Sequence, residues 1–220
     1  MLKEVRQWGS EHLDPQSVFC KIYQTNGWDG TESVSGPGST FEATKVLRRE
    51  LPVLLQEIQA RSLIDAPCGD VHWIKELDLG IDSYTGIDIV PQLVENNQKL
   101  YGNTKMRFLH GDISKDSLPR ADVILCRDCL VHLSYKSVFC ALRNFYASGS
   151  EYLLTTIHSD TRENINIMIG EWRPLNLTLD PFNFPMPEKL INEAFLDECG
   201  RKTDKHLGLW RLSELSRYLQ

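Results

Sequence analysis

The stretch LIDAPCGDVHWI, residues Leu63 to Ile74, decides the fold of this chain. An apolar run stops at Asp65, a Pro-Cys-Gly turn follows, and a second acid, Asp70, precedes a segment with the apolar spacing of a short helix. A strand that ends in a carboxylate and a tight turn can lie beneath a bound ligand. It can equally be a plain strand-to-helix corner in which the acid caps the helix.

The composition of the 220 residues narrows the class of protein. Hydrophobic residues make up 41% of the chain and charged residues 25%, which is typical of a soluble globular protein. The formal net charge is -6 and no basic run is longer than the pair Arg48 and Arg49, so we expect no nucleic-acid partner. No apolar run is long enough for a signal peptide or a membrane span. We therefore predict a cytoplasmic protein whose six cysteines are reduced.

Short apolar runs alternate with helical patterns between residues 61 and 160. The predicted strands are SLIDAP, YTGIDIV, MRFLHGD, ADVILCRD and EYLLTTIHSD. The predicted helices are VHWIKEL, PQLVENNQKLY and SYKSVFCALRNFYASG. This alternation indicates a doubly wound, mostly parallel α/β sheet with helices on both faces, and residues 61–160 form its predicted core.

The segment before this core, residues 1–60, is predicted to be a cap followed by a helix. Ser39 and Glu42 match the capping box S-x-x-E, and apolar residues continue at helical spacing as far as Ile58. Pro52 lies inside that pattern and should kink or split the helix.

The segment after the core, residues 161–220, loses the alternation. Its first part is too long for a simple connection, so we expect an irregular insertion that faces the substrate. An amphipathic helix is predicted near residues 187–198, and KHLGLWRLSEL is predicted to form a last strand. We interpret the chain as one domain of three parts, namely the cap, the core and the insertion.

Polar residues follow the predicted strands. They are Asp65, Asp88, Asp112, Arg127, Asp128, His158 and Asp160. Because ligands of doubly wound sheets bind outside the carboxyl ends of the strands, these side chains should meet at one site. A carboxylate in the position of Asp88 can accept both hydroxyls of a ribose. Each residue alone could be a helix cap, but the ordered set favours a nucleoside site.

The turn after the first strand restricts which nucleoside compound fits. Dinucleotides need G-x-G-x-x-G, so that a pyrophosphate can approach bare backbone at a helix N-terminus. The turn DAPCGD has Gly69 as its only glycine, which favours a ligand without phosphate. A nicotinamide-dependent oxidoreductase is therefore the weaker alternative. A non-catalytic binding protein that keeps the fold is a second alternative, which measured turnover would distinguish from an enzyme.

Four motifs, LIDAPCGD, YTGIDIV, HGDI and DVILCRDCLVHL, resemble those of the class I S-adenosylmethionine-dependent methyltransferases. The resemblance covers residues 62–160 and rests on the order and spacing of the motifs. It implies a Rossmann-like methyltransferase fold, S-adenosylmethionine as the cofactor, and transfer of its methyl group to an acceptor. The sequence departs from the commoner glycine-rich first motif, because Pro67 and Cys68 stand in the turn.

The resemblance also implies which residues contact the cofactor. Asp65 to Asp70 would pass beside its methionine and ribose portions, Asp88 would bind the ribose hydroxyls, and Asp112 would accept from the adenine amino group. Residues of the N-terminal loop would close over the carboxylate end. The expected contacts are Trp28, Ser35, Ser39, Asp65, Pro67, Gly69, Asp70, Asp88, Ile89, Asp112, Ile113, Cys126 and Arg127.

Three residues at or just past the ends of the fourth and fifth strands are candidates for a general base: Asp128, His132 and His158. Such a base would assist methyl transfer to a hydroxyl, and the ordinary pKa of an imidazole suits His132 to that role. His132 could instead cap the helix that starts near Ser134. It also follows the pair Cys126 and Cys129, but a zinc site would need further ligands, so we expect no metal.

We expect the acceptor to be enclosed by the irregular residues 164–187. Trp172, Arg173, Phe182 and Phe184 could stack on a ring or line a pocket there, and they could also simply pack the segment. Aromatic residues among Asn and Asp suit a sugar. The sequence therefore predicts O-methylation of a small-molecule or glycan acceptor, and it indicates no oligomeric state.

Overall fold

The computed structural model describes residues 14–194 and 204–219. Its strands are β1 (Ser62–Asp65), β2 (Ser83–Asp88), β3 (Met106–His110), β4 (Val123–Cys126), β5 (Tyr152–His158), β6 (Lys189–Asn192) and β7 (Lys205–Arg211). They form one sheet in the order β3-β2-β1-β4-β5-β7-β6. The first five strands pair in parallel, and β7 is antiparallel to β5 and β6. The predicted doubly wound, mostly parallel fold is confirmed.

Helices cover both faces of this sheet. Within the described residues they are α1 (Pro15–Gln24), α2 (Lys45–Glu57), α3 (Pro91–Tyr101) and α4 (Tyr135–Ala147). Successive strand residues face opposite sides, so Leu63 packs with α2 on one face and Ile64 packs with α4 on the other. No helix in this part of the chain has the length and apolar character needed to cross a bilayer.

Both helices of the second half of the core occupy their predicted segments. Pro91 is the first residue of α3, where its missing N–H leaves no helical hydrogen bond unmade. The side chain of Ser134 accepts the N–H of Ser137 and caps α4. The helix cap is therefore Ser134, and His132 is left for another role.

The predicted helix VHWIKEL is wrong, because residues 72–76 form turns. Gly69 and Val71 have positive φ angles of 55° and 49°, which a right-handed helix does not contain. Val71, Trp73 and Ile74 are nevertheless buried in the core with α2. The apolar spacing of this stretch thus reflects core packing of a turn.

The N-terminal helix differs from its prediction in two respects. Ser39 ends a short 3-10 turn, and α2 begins only at Lys45, so the predicted capping box is wrong. Pro52 lies inside α2 without splitting it, since the helix continues to Glu57. Buried leucines flank Pro52, and their packing offsets the one lost backbone hydrogen bond.

The last third of the chain contains one strand that the sequence did not predict. Residues 189–192 form β6 instead of a helix, because they pair with the otherwise free edge of β7. Residues 195–198 of the predicted helix lie outside the described residues. Residues 159–188, all of them described, contain neither an α-helix nor a strand, so the predicted irregular insertion follows β5.

Candidate active site

A cavity of about 1510 Å³ opens at the carboxyl ends of the parallel strands. Pockets for one small molecule usually measure about 300–1,000 Å³, so this cavity has room for two molecules side by side. Its lining includes every predicted cofactor contact except Cys126: Trp28, Ser35, Ser39, Asp65, Pro67, Gly69, Asp70, Asp88, Ile89, Asp112, Ile113 and Arg127. The candidate bases Asp128, His132 and His158 line it as well.

Cys126 lies in the core behind this lining. Its side chain is fully buried, and its carbonyl accepts the hydroxyl of Thr155 at 2.6 Å. Cys126 and Cys129 are both free thiols. Over residues 14–194 and 204–219, no group of three or more His, Cys, Asp or Glu side chains is placed to hold a metal ion.

Asp88 closes β2 at the floor of the cavity. Its Oδ1 accepts the N–H of Val90 and its Oδ2 accepts the N–H of Gly69, both at 2.9 Å. Burial raises the pKa of Asp88, and these N–H groups oppose the rise. Each carboxylate oxygen keeps a second acceptor position, so a ligand with two adjacent hydroxyls fits this residue.

Asp112 lies two residues beyond β3, and one of its carboxylate oxygens can accept a further hydrogen bond. Its Oδ1 accepts the N–H of Ser114 at 2.8 Å and the hydroxyl of Ser114 at 2.6 Å. Its buried Oδ2 lies 3.3 Å from Nζ of Lys115, which is mostly exposed, and has no hydrogen bond within the described residues. Because a carboxylate oxygen can accept more than one hydrogen bond and Lys115 is its one ion-pair partner among the described residues, Oδ2 keeps an acceptor position that fits a ligand amino group.

Asp65 closes β1 and is almost completely buried. The hydroxyl of Tyr84 donates to its Oδ2 at 2.7 Å. Burial raises the pKa of Asp65 to about 7, although the Tyr84 hydrogen bond acts in the opposite direction. Its charge near neutral pH will therefore respond to any cation that enters the cavity.

Asp70 attaches the N-terminal segment to the turn after β1. Its carboxylate accepts the hydroxyl of Ser33 at 2.9 Å, the hydroxyl of Ser35 at 3.2 Å and the N–H of Val34 at 3.1 Å. A Cβ at Gly69 would lie 2.2 Å from Oγ of Ser35, so only glycine allows this close approach. Asp70 and Ser35 line the cavity, and they also form a hydrogen bond with each other. The sequence did not predict this link between the N-terminal segment and the turn after β1.

Four charged side chains meet at the ends of β4 and β7. Nη2 of Arg127 lies 2.5 Å from Oε2 of Glu193 and donates to the carbonyl of Gly38 at 2.9 Å. Nζ of Lys205 lies 2.5 Å from Oδ2 of Asp128. Burial alone would raise the pKa of Asp128, but Arg127 and Lys205 outweigh it and hold that pKa well below its usual range. Asp128 is thus a fixed carboxylate and a poor proton acceptor.

His132 ends the 3-10 helix Leu130–His132 that follows β4. Its Nδ1 lies 3.0 Å from the carbonyl oxygen of Glu171, and since a carbonyl only accepts, we assign the proton of the neutral ring to Nδ1. Burial lowers the pKa of His132 to about 4. The imidazole is therefore neutral at pH 7, and the lone pair of Nε2 has no hydrogen bond with any described residue. Trp28 packs on the ring with centroids 4.3 Å apart.

His158, the last residue of β5, pairs with a carboxylate. Its Nδ1 lies 3.2 Å from Oδ1 of Asp204. Trp172 packs edge-on against the ring, with centroids 5.8 Å apart. Trp172 itself is 52% exposed and lines the cavity, as sequence reasoning proposed.

Arg173, Phe182 and Phe184 do not line the cavity, which corrects their predicted role. Arg173 is buried and donates to the carbonyls of Leu130 at 2.7 Å and Leu133 at 2.9 Å. Phe182 and Phe184 are buried in the core with α4. These three residues hold the irregular insertion in place.

Comparison with known proteins finds a family match for the central part of the chain. The family model described as a methyltransferase domain matches residues 64–150. No curated protein matches the sequence. Among solved structures, the methyltransferase domain of bacterial CtHen1 is similar with a TM-score of 0.56 and 10% identity, over 76% of this chain and 98% of that chain.

Two further structures, both solved with S-adenosylmethionine bound, share the fold. Human N-acetylserotonin methyltransferase has a TM-score of 0.51 and 19% identity, over 70% of this chain and 45% of its own. Magnesium protoporphyrin IX methyltransferase from Synechocystis has a TM-score of 0.50 and 15% identity, over 73% of this chain and 83% of its own. The family match over residues 64–150 and the shared sheet together confirm the sequence-based prediction of a methyltransferase whose cofactor is S-adenosylmethionine.

Proposed function

We propose that this enzyme methylates a hydroxyl of a small-molecule or glycan acceptor and that His132 is its general base. The observation that carries the proposal is the neutral imidazole of His132, a residue of the cavity lining whose Nε2 has no hydrogen bond with any described residue. When bound, S-adenosylmethionine supplies an electrophilic methyl carbon and leaves as a neutral thioether. A hydroxyl keeps its proton at neutral pH, so a base that accepts this proton during the transfer should help.

The cofactor would occupy the half of the cavity formed by β1, β2 and β3. Asp88 has acceptor positions for the ribose hydroxyls, and Oδ2 of Asp112 suits the adenine amino group. Asp65 offers a carboxylate to the ammonium of the methionine portion. We expect Trp28 and Ser39, together with the backbone near Arg127, to complete the site at its methionine end.

Among the three candidate bases, His132 fits best. Asp128 is held ionised by Arg127 and Lys205, so it has little tendency to take up a proton. The low pKa of His132 keeps the ring unprotonated at any physiological pH. The Glu171 carbonyl fixes the tautomer, which aims the lone pair of Nε2 away from that carbonyl.

Several observations support a small or glycan acceptor in the cytoplasm. Two of the similar structures are, by their names, enzymes that act on N-acetylserotonin and on magnesium protoporphyrin IX, both small molecules. The net charge of -6 disfavours nucleic acid. The cysteines of the described part are free thiols, as expected in a reducing compartment.

The proposal predicts an O-methylated product. Purified enzyme should be incubated with S-adenosylmethionine carrying a ¹³C-labelled methyl group and a library of hydroxylated small molecules and oligosaccharides. We expect a new carbon resonance typical of a methoxy group, formed together with the demethylated cofactor. A product methylated on nitrogen, sulfur or carbon would contradict O-methylation while leaving the enzyme a methyltransferase.

We expect cofactor binding to strengthen as the pH rises from about 5 to 7. Burial raises the pKa of Asp65 to about 7 in the free protein, and a bound ammonium would lower it again, so binding in this window releases a proton. The α-amino group of the cofactor, with an ordinary pKa of about 7.7–8.0, stays charged there. Affinity should rise by up to about tenfold per pH unit and level off above pH 7. Titration calorimetry in buffers of different ionisation enthalpy measures both effects.

Two variants test whether Asp65 is the group that titrates. Asp65→Asn has no proton to release and should bind the cofactor with the same affinity across this pH range. Tyr84→Phe removes the hydroxyl that favours ionised Asp65 and should move the plateau to higher pH. If wild-type affinity is constant between pH 5 and 7, Asp65 does not face the ammonium.

A further inference from the structure

The pair formed by His158 and Asp204 has no role in the methyl transfer described above, although both residues line the cavity. We propose that this pair and Trp172 form an acceptor subsite that binds a polyhydroxylated, sugar-like ring. The inference rests on the proposed O-methylation. It assigns one hydroxyl of the acceptor to His132 and a second hydroxyl to His158.

Two adjacent residues of the insertion each contact one of the two imidazoles. The carbonyl of Glu171 binds Nδ1 of His132, and the next residue, Trp172, packs on the ring of His158. The N–H of Gly170 also donates to the carbonyl of His132 at 2.9 Å. Two adjacent residues therefore contact both imidazoles, which brings the rings within reach of one small molecule.

The carboxylate of Asp204 orients His158, as the carbonyl of Glu171 orients His132. Nδ1 of His158 lies 3.2 Å from Oδ1 of Asp204, and since a carboxylate only accepts, Nδ1 donates this hydrogen bond and Nε2 points away from Asp204. No described residue forms a hydrogen bond with that Nε2. The other oxygen of Asp204 accepts the N–H of Asp160 at 2.8 Å, which fixes the carboxylate in turn. A buried imidazole oriented in this way suits a ligand hydroxyl.

The surroundings of His158 match a ring with an apolar face and a polar edge. Trp172 is half exposed at the cavity and can cover the C–H face of a sugar ring. Asp160 and Thr161 line the same side and offer acceptors and a donor to further hydroxyls. An acceptor with a single hydroxyl, such as a simple phenol, would leave His158 and Asp160 without a ligand partner.

The test uses the full-length enzyme loaded with S-adenosylhomocysteine, so that binding is measured without turnover. The probes are a set of methyl hexopyranosides that differ in hydroxyl configuration. Three rings of similar size with one polar group each, cyclohexanol, phenol and cyclohexylamine, serve as competitors for comparison. Saturation-transfer NMR should show at least one hexopyranoside binding in about the millimolar range and none of the three competitors binding more tightly. Trp172→Ala and His158→Gln should each weaken that hexopyranoside at least tenfold, with unchanged affinity for S-adenosylhomocysteine.

A matched control separates the subsite from general damage. His206 lies on the same strand as Lys205 and contacts the backbone of Asp204, but it does not line the cavity, so His206→Gln should bind the hexopyranoside like the wild type. Trp172→Phe, which keeps an aromatic face, should recover part of the affinity lost in Trp172→Ala. Binding of cyclohexylamine or phenol in preference to every hexopyranoside, or no hexopyranoside binding at all, overturns the proposal.

Failure of the subsite and failure of the proposed function give different results. If the enzyme O-methylates an acceptor with one hydroxyl and His158→Gln leaves that reaction unchanged, the subsite is wrong and O-methylation stands. If a hexopyranoside binds through His158 but the product is methylated on another kind of atom, the subsite stands and the proposed function is wrong.

Discussion

Replacing His132 by glutamine should lower turnover by about 100- to 10,000-fold, the range over which a general base contributes. Glutamine retains a donor for the Glu171 carbonyl but cannot take up the proton of the acceptor hydroxyl. Because burial lowers the pKa of His132 to about 4, the imidazole is a weaker base than an exposed one, and we expect a loss in the lower part of that range. Single-turnover kinetics with an acceptor found by the screen would measure it.

Three controls test whether the loss of turnover arises in the methyl-transfer step itself. Affinity for S-adenosylhomocysteine should be nearly unchanged, because His132 faces the acceptor. Wild-type turnover should fall as the pH drops through about 4, where His132 becomes protonated, and the variant should lack this limb. Added imidazole should restore part of the activity of His132→Ala. If the folded variant keeps more than about a third of wild-type turnover with chemistry rate-limiting, His132 is not the base.

Replacing Asp88 by asparagine should weaken cofactor binding at least tens-fold. Two hydrogen bonds from ribose hydroxyls to a charged carboxylate are worth on the order of 2–4 kcal/mol together. Asparagine is preferable to alanine, because the Asp88 side chain also accepts the N–H groups of Gly69 and Val90, and alanine would release both. Calorimetry with S-adenosylmethionine gives the affinity, and thermal unfolding without the cofactor checks the fold.

Asp82 provides a matched control at the opposite end of the same strand. It precedes β2, its side chain is largely exposed, and it pairs with the exposed Arg61. Asp82→Asn makes the same chemical change outside the cavity and should bind the cofactor like the wild type. A folded Asp88→Asn protein with wild-type affinity would mean that this carboxylate only organises the turn after β1.

The part of the cavity formed by β1, β2 and β3, where we propose that the cofactor binds, was predictable because its residues follow local rules. Each strand from β1 to β3 is a short apolar run, and the acid at or just beyond its end is visible in the sequence. Parallel pairing then brings Asp65, Asp88 and Asp112 to one edge of the sheet. The helix predicted for VHWIKEL is wrong because apolar spacing indicates burial and does not reveal the positive φ of Val71.

The part of the cavity lined by His132, His158 and Trp172, where we propose that the acceptor binds, was less predictable because it depends on contacts between distant residues. Arg127 pairs with Glu193, and His158 pairs with Asp204, across 66 and 46 residues of chain. Nothing in the local pattern of Arg173 distinguishes a buried donor to two carbonyls from a residue that stacks on a ligand. Sequence reasoning therefore identified Trp172 and the two histidines as candidates without showing what holds them.

The direction of β7 has a consequence for how such an enzyme can diversify. Because β7 runs against its neighbours, its first residue, Lys205, stands beside the end of β5, where a parallel strand would have brought Arg211. Asp204 reaches the cavity for the same reason. With the acceptor subsite placed as we propose, a shift of β7 along β5 would move Asp204 while Asp88 and Asp112 remain in place. On this proposal, new acceptor preferences can arise through the placement of β7, while the acids that follow β1, β2 and β3 are unchanged.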